Sequence, residues 1–200
     1  MSIEMELKAR AEKQDCKKRL ETIAGQGAAF VKDDAYWFPV FSGLPGEGAG
    51  ENPLPRSGLR VRREKKAGKE TTLVTWKKKE KRNGMEINDE REFTVSRGTL
   101  FEELLYALGL RKKITKHKEG WVWNIDGVTA ELAEVSGFIA EDGIPKTLGW
   151  FLELEILDEA DETAARRRLL DVLAQAGIGE ADIEKRYYSE LLAIRELPPV

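Results

Sequence analysis

Near its amino terminus the chain reads Ile3-Glu4-Met5-Glu6-Leu7-Lys8. Apolar and charged residues alternate with the two-residue period of a β-strand, so Glu4, Glu6 and Lys8 share one face of that strand. Taken alone, this pattern is typical of a strand that buries its apolar face and shows its charges to water. It predicts an early strand with one charged face.

The same pattern returns far along the chain as Trp150-Phe151-Leu152-Glu153-Leu154-Glu155-Ile156. Glu153 and Glu155 share a face with Phe151, and the other apolar residues share the opposite face. Two strands that are distant in sequence and each carry a pair of carboxylates predict one acidic site where they meet. Four carboxylates at one site repel each other unless a divalent cation, or a group of lysines and arginines, holds them.

The composition is that of a soluble globular protein, with 34% charged and 41% hydrophobic residues and a net charge of −3. That small net charge hides opposed blocks, because residues 60–82 carry eleven Lys or Arg against three Glu, and residues 111–118 add five more bases. Opposed blocks favour a small anionic ligand with a metal ion over nucleic acid. With one histidine (His117) and one cysteine (Cys16), the chain lacks the ligands of a typical zinc site. No stretch is typical of a signal peptide or a membrane span, so we expect a cytoplasmic protein with no membrane partner.

Periodicity and turn residues predict eight strands and four helices. The strands are residues 3–8, 28–38, 59–64, 71–79, 85–95, 111–125, 128–135 and 148–157, and the helices are residues 11–24, 100–108, 161–176 and 179–194. Residues 39–58, with four of the seven prolines, and residues 136–147 are predicted loops, the first either a mobile lid or an insertion. Hairpin turns such as Asn83-Gly84 and Asp126-Gly127 imply an antiparallel sheet. The predicted fold class is α+β, with an eight-stranded antiparallel barrel and flanking helices.

In such a barrel the charged strand faces would point inward together. Besides the glutamates above, these faces carry Arg60 and Arg62, Thr75, Lys77 and Lys79, Glu90 and Glu92, and either Arg111 and Lys113 or Lys116 and Lys118, between which the sequence does not choose. The outward faces, with Ile3, Met5, Leu7, Trp150, Leu152 and Leu154, would pack against helices. An acidic cluster beside a basic cluster suits a chain of phosphates with Mg²⁺ or Mn²⁺. The chain has no Walker-type glycine loop, which excludes P-loop chemistry.

At this point the sequence resembles a known family, the CYTH-domain proteins or triphosphate tunnel metalloenzymes, which include class IV adenylate cyclases and thiamine triphosphatases. The matching motifs occur in the family's order and span nearly the whole chain: Glu4-x-Glu6-x-Lys8, Leu59-Arg60-Val61-Arg62, Thr75-Trp76-Lys77, Glu90-Arg91-Glu92, residues 148–155 and residues 186–192. The resemblance implies one domain over residues 1–200. Residues 1–157 would form the tunnel strands with their intervening helices, and residues 158–200 a helical segment that packs on the barrel.

The resemblance also implies roles for individual residues. The metal ligands would be Glu4, Glu6, Glu153 and Glu155, with Glu90 or Glu92. The triphosphate would bind to Lys8, Arg60, Arg62, Lys77 and lysines among Lys113, Lys116 and Lys118, with Arg186 near the tunnel mouth. Lys8 and Glu4 are the candidate catalytic residues, and one or the other would orient an attacking water molecule.

These residues fit more than one activity. The leading hypothesis is a Mg²⁺- or Mn²⁺-dependent triphosphatase acting on ATP, tripolyphosphate or thiamine triphosphate. The alternatives are a class IV adenylate cyclase, which converts ATP to cyclic AMP and pyrophosphate, and a non-catalytic module that binds polyphosphate or RNA ends. Hydrolysis is favoured over cyclisation because Tyr36-Trp37-Phe38-Pro39 departs from the Tyr-Phe-Asp that cyclase-like members carry on the second strand. The sequence leaves both a monomer and a homodimer open.

Overall fold

The computed structural model describes residues 2–39, 59–82, 85–141 and 143–194. In chain order its elements are β1 (Ser2–Arg10), α1 (Lys13–Ala24), β2 (Ala28–Pro39), β3 (Leu59–Lys66), β4 (Lys69–Arg82), β5 (Met85–Val95), α2 (Gly98–Ala107), β6 (Leu110–Ile125), β7 (Val128–Ile139), β8 (Lys146–Leu157), α3 (Glu162–Gln175), a 3₁₀ turn (Glu180–Asp182) and α4 (Tyr188–Ala193). Residues 40–58 of the predicted loop over residues 39–58, a lid or an insertion, lie outside the described residues, as does the predicted Asn83-Gly84 turn.

The eight strands close into a barrel in the order β1-β5-β4-β3-β2-β6-β7-β8, and every neighbouring pair is antiparallel. This confirms the predicted fold class. Closure brings β1 beside both β5 and β8, so Glu6 faces Glu86 on one side and Glu155 on the other. The two acidic strands at opposite ends of the sequence are therefore neighbours in the barrel wall.

The largest apolar core lies outside the barrel, on the side that β1, β7 and β8 form. Met5 and Leu7 are buried there with Leu154, and α1 and α3 cover them through side chains such as Leu20 and Leu169. The outward apolar faces of β1 and β8 thus pack against helices, as the alternation predicts. Two residues depart from that expectation: Ile3 is 46% exposed, and Trp150 is half-buried, stacked on Trp121.

A second apolar cluster lies inside one end of the barrel. There α4 inserts Leu191 and Leu192 among inward-facing side chains that include Phe38, Ile114 and Phe151. This end is consequently filled by apolar packing, and charged side chains line the rest of the lumen. On the outer wall, α2 covers the apolar faces of β3 and β4. No helix in the described part of the chain is long and apolar enough to cross a membrane.

The prediction of one continuous helix over residues 179–194 is wrong. Within the described residues, the pairing of β1 with β5 ends at Glu6 and Glu86. The chain at Ile183 forms a β-bridge with Ala9 instead, and the Glu184 amide donates to the Lys8 carbonyl at 2.8 Å. These extended residues divide the predicted helix into a 3₁₀ turn and α4. The predicted loop over residues 136–147 is also too long, because β7 continues to Ile139 and β8 begins at Lys146.

Candidate active site in the barrel lumen

The lumen holds a cavity of about 1220 Å³ whose lining is mostly charged. Acidic and basic side chains are nearly balanced in number along it. Twelve of the fourteen residues that the sequence analysis selected for metal or phosphate binding line this cavity: Glu4, Glu6, Lys8, Arg60, Arg62, Lys77, Glu90, Glu92, Lys116, Lys118, Glu153 and Glu155. The fold thus gathers residues from six strands at one site.

Lys113 and Arg186 are not among the described residues that line the cavity, and their roles in phosphate binding stay predictions. Lys113 lies where a bulge shifts the pairing of β2 with β6, and its ammonium is 3.0 Å from a Glu141 carboxylate oxygen. Arg186 is about half exposed and pairs with Glu184 at 2.6 Å. The structure also settles the register of β6: Lys116 and Lys118 point inward.

One wall of the cavity, which we call the acidic wall, carries Glu4, Glu6, Glu90 and Glu155. Burial raises the pKa of Glu6, and Glu153 raises it further. Burial together with Glu4 and Glu6 raises the pKa of Glu155 to about 8. Glu6 and Glu155 therefore lack sufficient counter-charge, whereas Lys77 outweighs burial at Glu90 and lowers its pKa.

Among the described side chains, Lys77 is the cation that pairs with these acids. Its ammonium is 2.7 Å from a Glu4 oxygen and also contacts Glu90, and the three surrounding acids raise the pKa of Lys77 in spite of its burial. The buried Asn88 amide donates to the same Glu4 oxygen at 3.1 Å. A lysine therefore holds part of this wall together, in the position where a bound cation would be most favourable.

The opposite side of the cavity, which we call the basic wall, is built from β2, β3 and β6. Arg60, Arg62, Lys116 and Lys118 line it. Asp34 lies between two of these cations: its carboxylate accepts from Arg62 Nε at 2.6 Å and Nη2 at 3.0 Å, and Lys116 Nζ is 3.1 Å away. Burial alone would raise the pKa of Asp34, but Arg62 and Lys116 outweigh it and hold that pKa well below its usual value.

Glu153 belongs to the basic wall, although it lies only two residues from Glu155. Its carboxylate accepts hydrogen bonds from Lys118 and from the Tyr188 hydroxyl of α4. Against the effect of burial, Lys118 and Lys116 lower the pKa of Glu153. Tyr188 in turn lies beside three ammonium groups, with Lys8 Nζ 4.5 Å, Lys116 Nζ 5.0 Å and Lys118 Nζ 5.2 Å from its ring centre.

The sequence analysis missed several charged or polar residues in and around the lumen. Asp34 is one, and Lys32, Glu86, Glu131 and Tyr188 are others; Lys32 pairs with Glu131, and Lys8 with Glu86 at 3.4 Å. Alternation in Lys32-Asp33-Asp34-Ala35-Tyr36 would have found two of them by the rule that selected Glu4 and Glu6. The signal is weak there because Asp33 and Ala35 give the other face no clear apolar character.

The acidic wall suits a hard divalent cation by the chemistry of its donors. Carboxylate and amide oxygens are the ligands that Mg²⁺ and Mn²⁺ prefer. The Oδ1 atom of Asn88 is buried and has no hydrogen-bond partner among the described residues, so an acceptor remains available next to Glu4. Within the described residues no three acidic, histidine or cysteine side chains already stand at metal-binding distances. The acidic wall therefore fits a divalent cation by the type and charge of its donor atoms, and Lys77 lies between two of its carboxylates.

A closed eight-stranded barrel with a charged lumen defines a tunnel class of protein. The CYTH domain matches residues 2–188, and the chain belongs to the CYTH family. No curated protein matches the sequence.

Solved structures share the fold over almost their whole length. The PH1012 protein from Pyrococcus horikoshii OT3 is 25% identical with a TM-score of 0.71, over 94% of this chain and 99% of that one. A candidate adenylate cyclase from Vibrio parahaemolyticus is 19% identical with a TM-score of 0.65, over 96% and 98%. A candidate adenylyl cyclase from Hippeastrum is 14% identical with a TM-score of 0.62, over 100% and 98%.

Proposed function

We propose that this protein is a divalent-metal-dependent triphosphatase that binds its substrate in the barrel lumen. CYTH proteins are generally divalent-metal dependent. The Hippeastrum protein has a dominant triphosphatase activity. The Vibrio protein is a candidate adenylate cyclase. Both activities begin with a bound triphosphate, so the family supports this class of substrate.

The observation that carries the proposal is the division of one cavity into an acidic wall and a basic wall. Burial and the neighbouring acids raise the pKa values of Glu6 and Glu155, and a buried group of acids is an environment that favours a divalent cation. On the basic wall, arginine and lysine offer forked and single donors to phosphate oxygens. A metal triphosphate brings positive charge to the first wall and negative charge to the second.

The chain's own residues would position the reacting groups. Arg60 and Arg62 would bind phosphate oxygens from β3, and Lys116 and Lys118 would bind them from β6. Lys8 reaches between the walls, with its ammonium 3.4 Å from Glu86 and over the Tyr188 ring, and would stabilise charge on the leaving phosphate. Glu4 would orient the attacking water molecule. When bound, the divalent cation would neutralise phosphate charge and lower the pKa of water.

Cyclisation of ATP is the second candidate, favoured by the candidate cyclases among the similar structures. It would use the same phosphate-binding residues, with the ribose 3′-hydroxyl attacking the α-phosphorus. Phe38 argues against it: where cyclase-like members carry an aspartate, this chain places a buried phenylalanine in the apolar cluster with Ile114 and Leu192. The proposed hydrolysis assigns no role to that position.

Product analysis tests the proposal. The purified protein is incubated with tripolyphosphate and, in parallel, with ATP, each with Mg²⁺ or Mn²⁺ and each with EDTA. We expect orthophosphate from tripolyphosphate, lost in EDTA, with no cyclic AMP. Formation of cyclic AMP and pyrophosphate from ATP would identify the protein as a cyclase and not as a triphosphatase. Tripolyphosphate binding that EDTA does not weaken, without turnover, would indicate the non-catalytic binding module.

A further inference from the structure

We infer that Asp34 is a positioning residue, which fixes Arg62 and Lys116 in the arrangement that grips the substrate's phosphates. The inference rests on the proposed function in one respect, that the basic wall binds a triphosphate. It concerns a residue that lies behind the wall and contacts the substrate only through others.

The pairing of the strands puts Asp34 in the middle of a row. Asp34 is the direct partner of Arg62 on β3 and of Lys116 on β6, so the three inward side chains lie side by side across three strands. The Asp34 side chain is 0% exposed, whereas those of Arg62 and Lys116 are 12% and 7% exposed and line the cavity. The acid is thus covered by the two cations, which separate it from the lumen.

The contacts of Asp34 fix the orientation of the Arg62 side chain as well as its distance. Asp34 Oδ1 accepts from Arg62 Nε at 2.6 Å, and Oδ2 accepts from Arg62 Nη2 at 3.0 Å, a forked pair that fixes the plane of the guanidinium. Lys116 Nζ lies 3.1 Å from Oδ2. Because the forked contact occupies Nε and Nη2, the remaining N–H groups of Arg62, on Nη1 and the second of Nη2, are left to donate to a ligand.

Charge repulsion explains why such a residue is needed. Arg60, Arg62, Lys116 and Lys118 are crowded on one wall, and without a fixed counter-charge they would move apart before the substrate arrives. Asp34 offsets that repulsion in the empty protein, so binding does not have to order the cations. Glu153 does the same for Lys118 but faces the cavity itself, which leaves Asp34 as the residue with a purely supporting position.

The chain contains a matched control for this role. Asp33 is the adjacent residue on the same strand, but its side chain is 60% exposed and pairs with His117 on the outer face. Asp34→Asn and Asp33→Asn therefore make the same chemical change on opposite faces of β2. A loss that is confined to Asp34→Asn cannot come from a general effect on the strand.

Equilibrium binding of tripolyphosphate is measured by calorimetry for the wild type, D34N, D33N, R62M and D34N/R62M, in EDTA and in Mg²⁺, beside circular dichroism of each variant. We expect D34N to weaken binding by about 10- to 100-fold, as loss of a supporting partner does at other sites, and D33N to bind as the wild type does. In steady-state assays the effect should fall on KM more than on kcat, because the cations contact the substrate in its ground state as well.

The double variant separates positioning from folding. D34N alone leaves both Arg62 and Lys116 without the carboxylate, whereas D34N/R62M leaves only Lys116 without it, so the double variant remains testable even if D34N alone fails to fold. The inference predicts that D34N weakens binding by a smaller factor in the R62M background than in the wild type, because only the route from Asp34 through Lys116 then remains. Wild-type affinity in folded D34N, or the full loss repeated in the R62M background, would overturn it. Tripolyphosphate binding without hydrolysis by the wild type would count against the proposed function alone.

Discussion

Glu153 and Glu155 lie two residues apart on the same face of β8, yet their environments are opposite. Glu153 is held by Lys118 and Tyr188, and its pKa is lowered. Glu155 faces Glu4 and Glu6 from the acidic wall, and its pKa is raised to about 8. Both are inside the barrel, so burial does not distinguish them; the difference comes from the neighbours that barrel closure supplies. One carboxylate completes a structural network, and the other is left in need of a cation.

The largest expected effect concerns turnover. Glu155→Gln keeps the shape of the side chain and removes a charge from the acidic wall, so metal-dependent hydrolysis of tripolyphosphate should fall about 100-fold or more. Activity assays over a range of Mg²⁺ and Mn²⁺ concentrations measure this, with the exposed Glu119→Gln on β6 as the control. Full activity in Glu155→Gln would remove this residue from the proposed metal site.

The next effect concerns stability, where the same change at Glu153 should act in the opposite direction from that at Glu155. Glu153→Gln leaves the Lys118 ammonium, whose side chain is 3% exposed, without its charged partner. This should cost about 3 kcal/mol of unfolding free energy in EDTA. Glu155 is mostly ionised only above its pKa of about 8, so at pH 9 Glu155→Gln relieves repulsion and should not destabilise the protein. Urea unfolding of both variants tests this prediction. A shift of stability in the same direction in both variants would contradict it.

A third effect concerns phosphate affinity on the basic wall. Arg60→Ala should weaken tripolyphosphate binding by about 2–3 kcal/mol, because the guanidinium lines the cavity and its side chain is only 12% exposed. Arg63→Ala is the matched control, since Arg63 is 45% exposed and pairs with Glu102 outside the barrel. Equal binding by these two variants would contradict the placement of Arg60 at the substrate.

A smaller effect appears in the pH dependence of stability in EDTA. The pKa of Glu155 is raised from 4.5 to about 8 in the folded protein, so the folded state binds more protons than the unfolded state between these values. Stability should therefore fall as pH rises through this window, and the wild type should lose roughly 1–3 kcal/mol relative to Glu155→Gln by pH 9. Thermal unfolding from pH 4 to pH 9 measures the difference. A constant difference across that range would show that Glu155 is not perturbed.

The smallest expected effect is an almost unchanged affinity for tripolyphosphate when Lys113 is replaced. Lys113→Ala should leave tripolyphosphate affinity within about twofold of the wild type, because an exposed pair such as Lys113 with Glu141 contributes little. Lys118→Ala, five residues further on and facing the lumen, should weaken binding clearly. A loss in Lys113→Ala as large as that in Lys118→Ala would place Lys113 at the substrate after all.

Much of the fold followed from the chain's alternation and turns. All eight strands occur where they were predicted, and Met85–Val95 matches at both ends. Strand ends and the last helix were less accurate, because they depend on which backbone groups find partners in the closed barrel. Ile183 is extended only because Ala9 on β1 offers it a bridge, and that pairing between distant residues leaves no local signal.

For the site, the sequence by itself determined which residues share a strand face, since the period of two follows from backbone geometry. That rule selected Glu4, Glu6, Glu153 and Glu155 correctly as residues of the lumen. Only the tertiary structure decided which of them meet cations and which meet other acids, and that Asp34 lies between Arg62 and Lys116. Electrostatic character depends on distances of a few ångströms between strands, and these are set by register, bulges and closure of the barrel rather than by order along the chain.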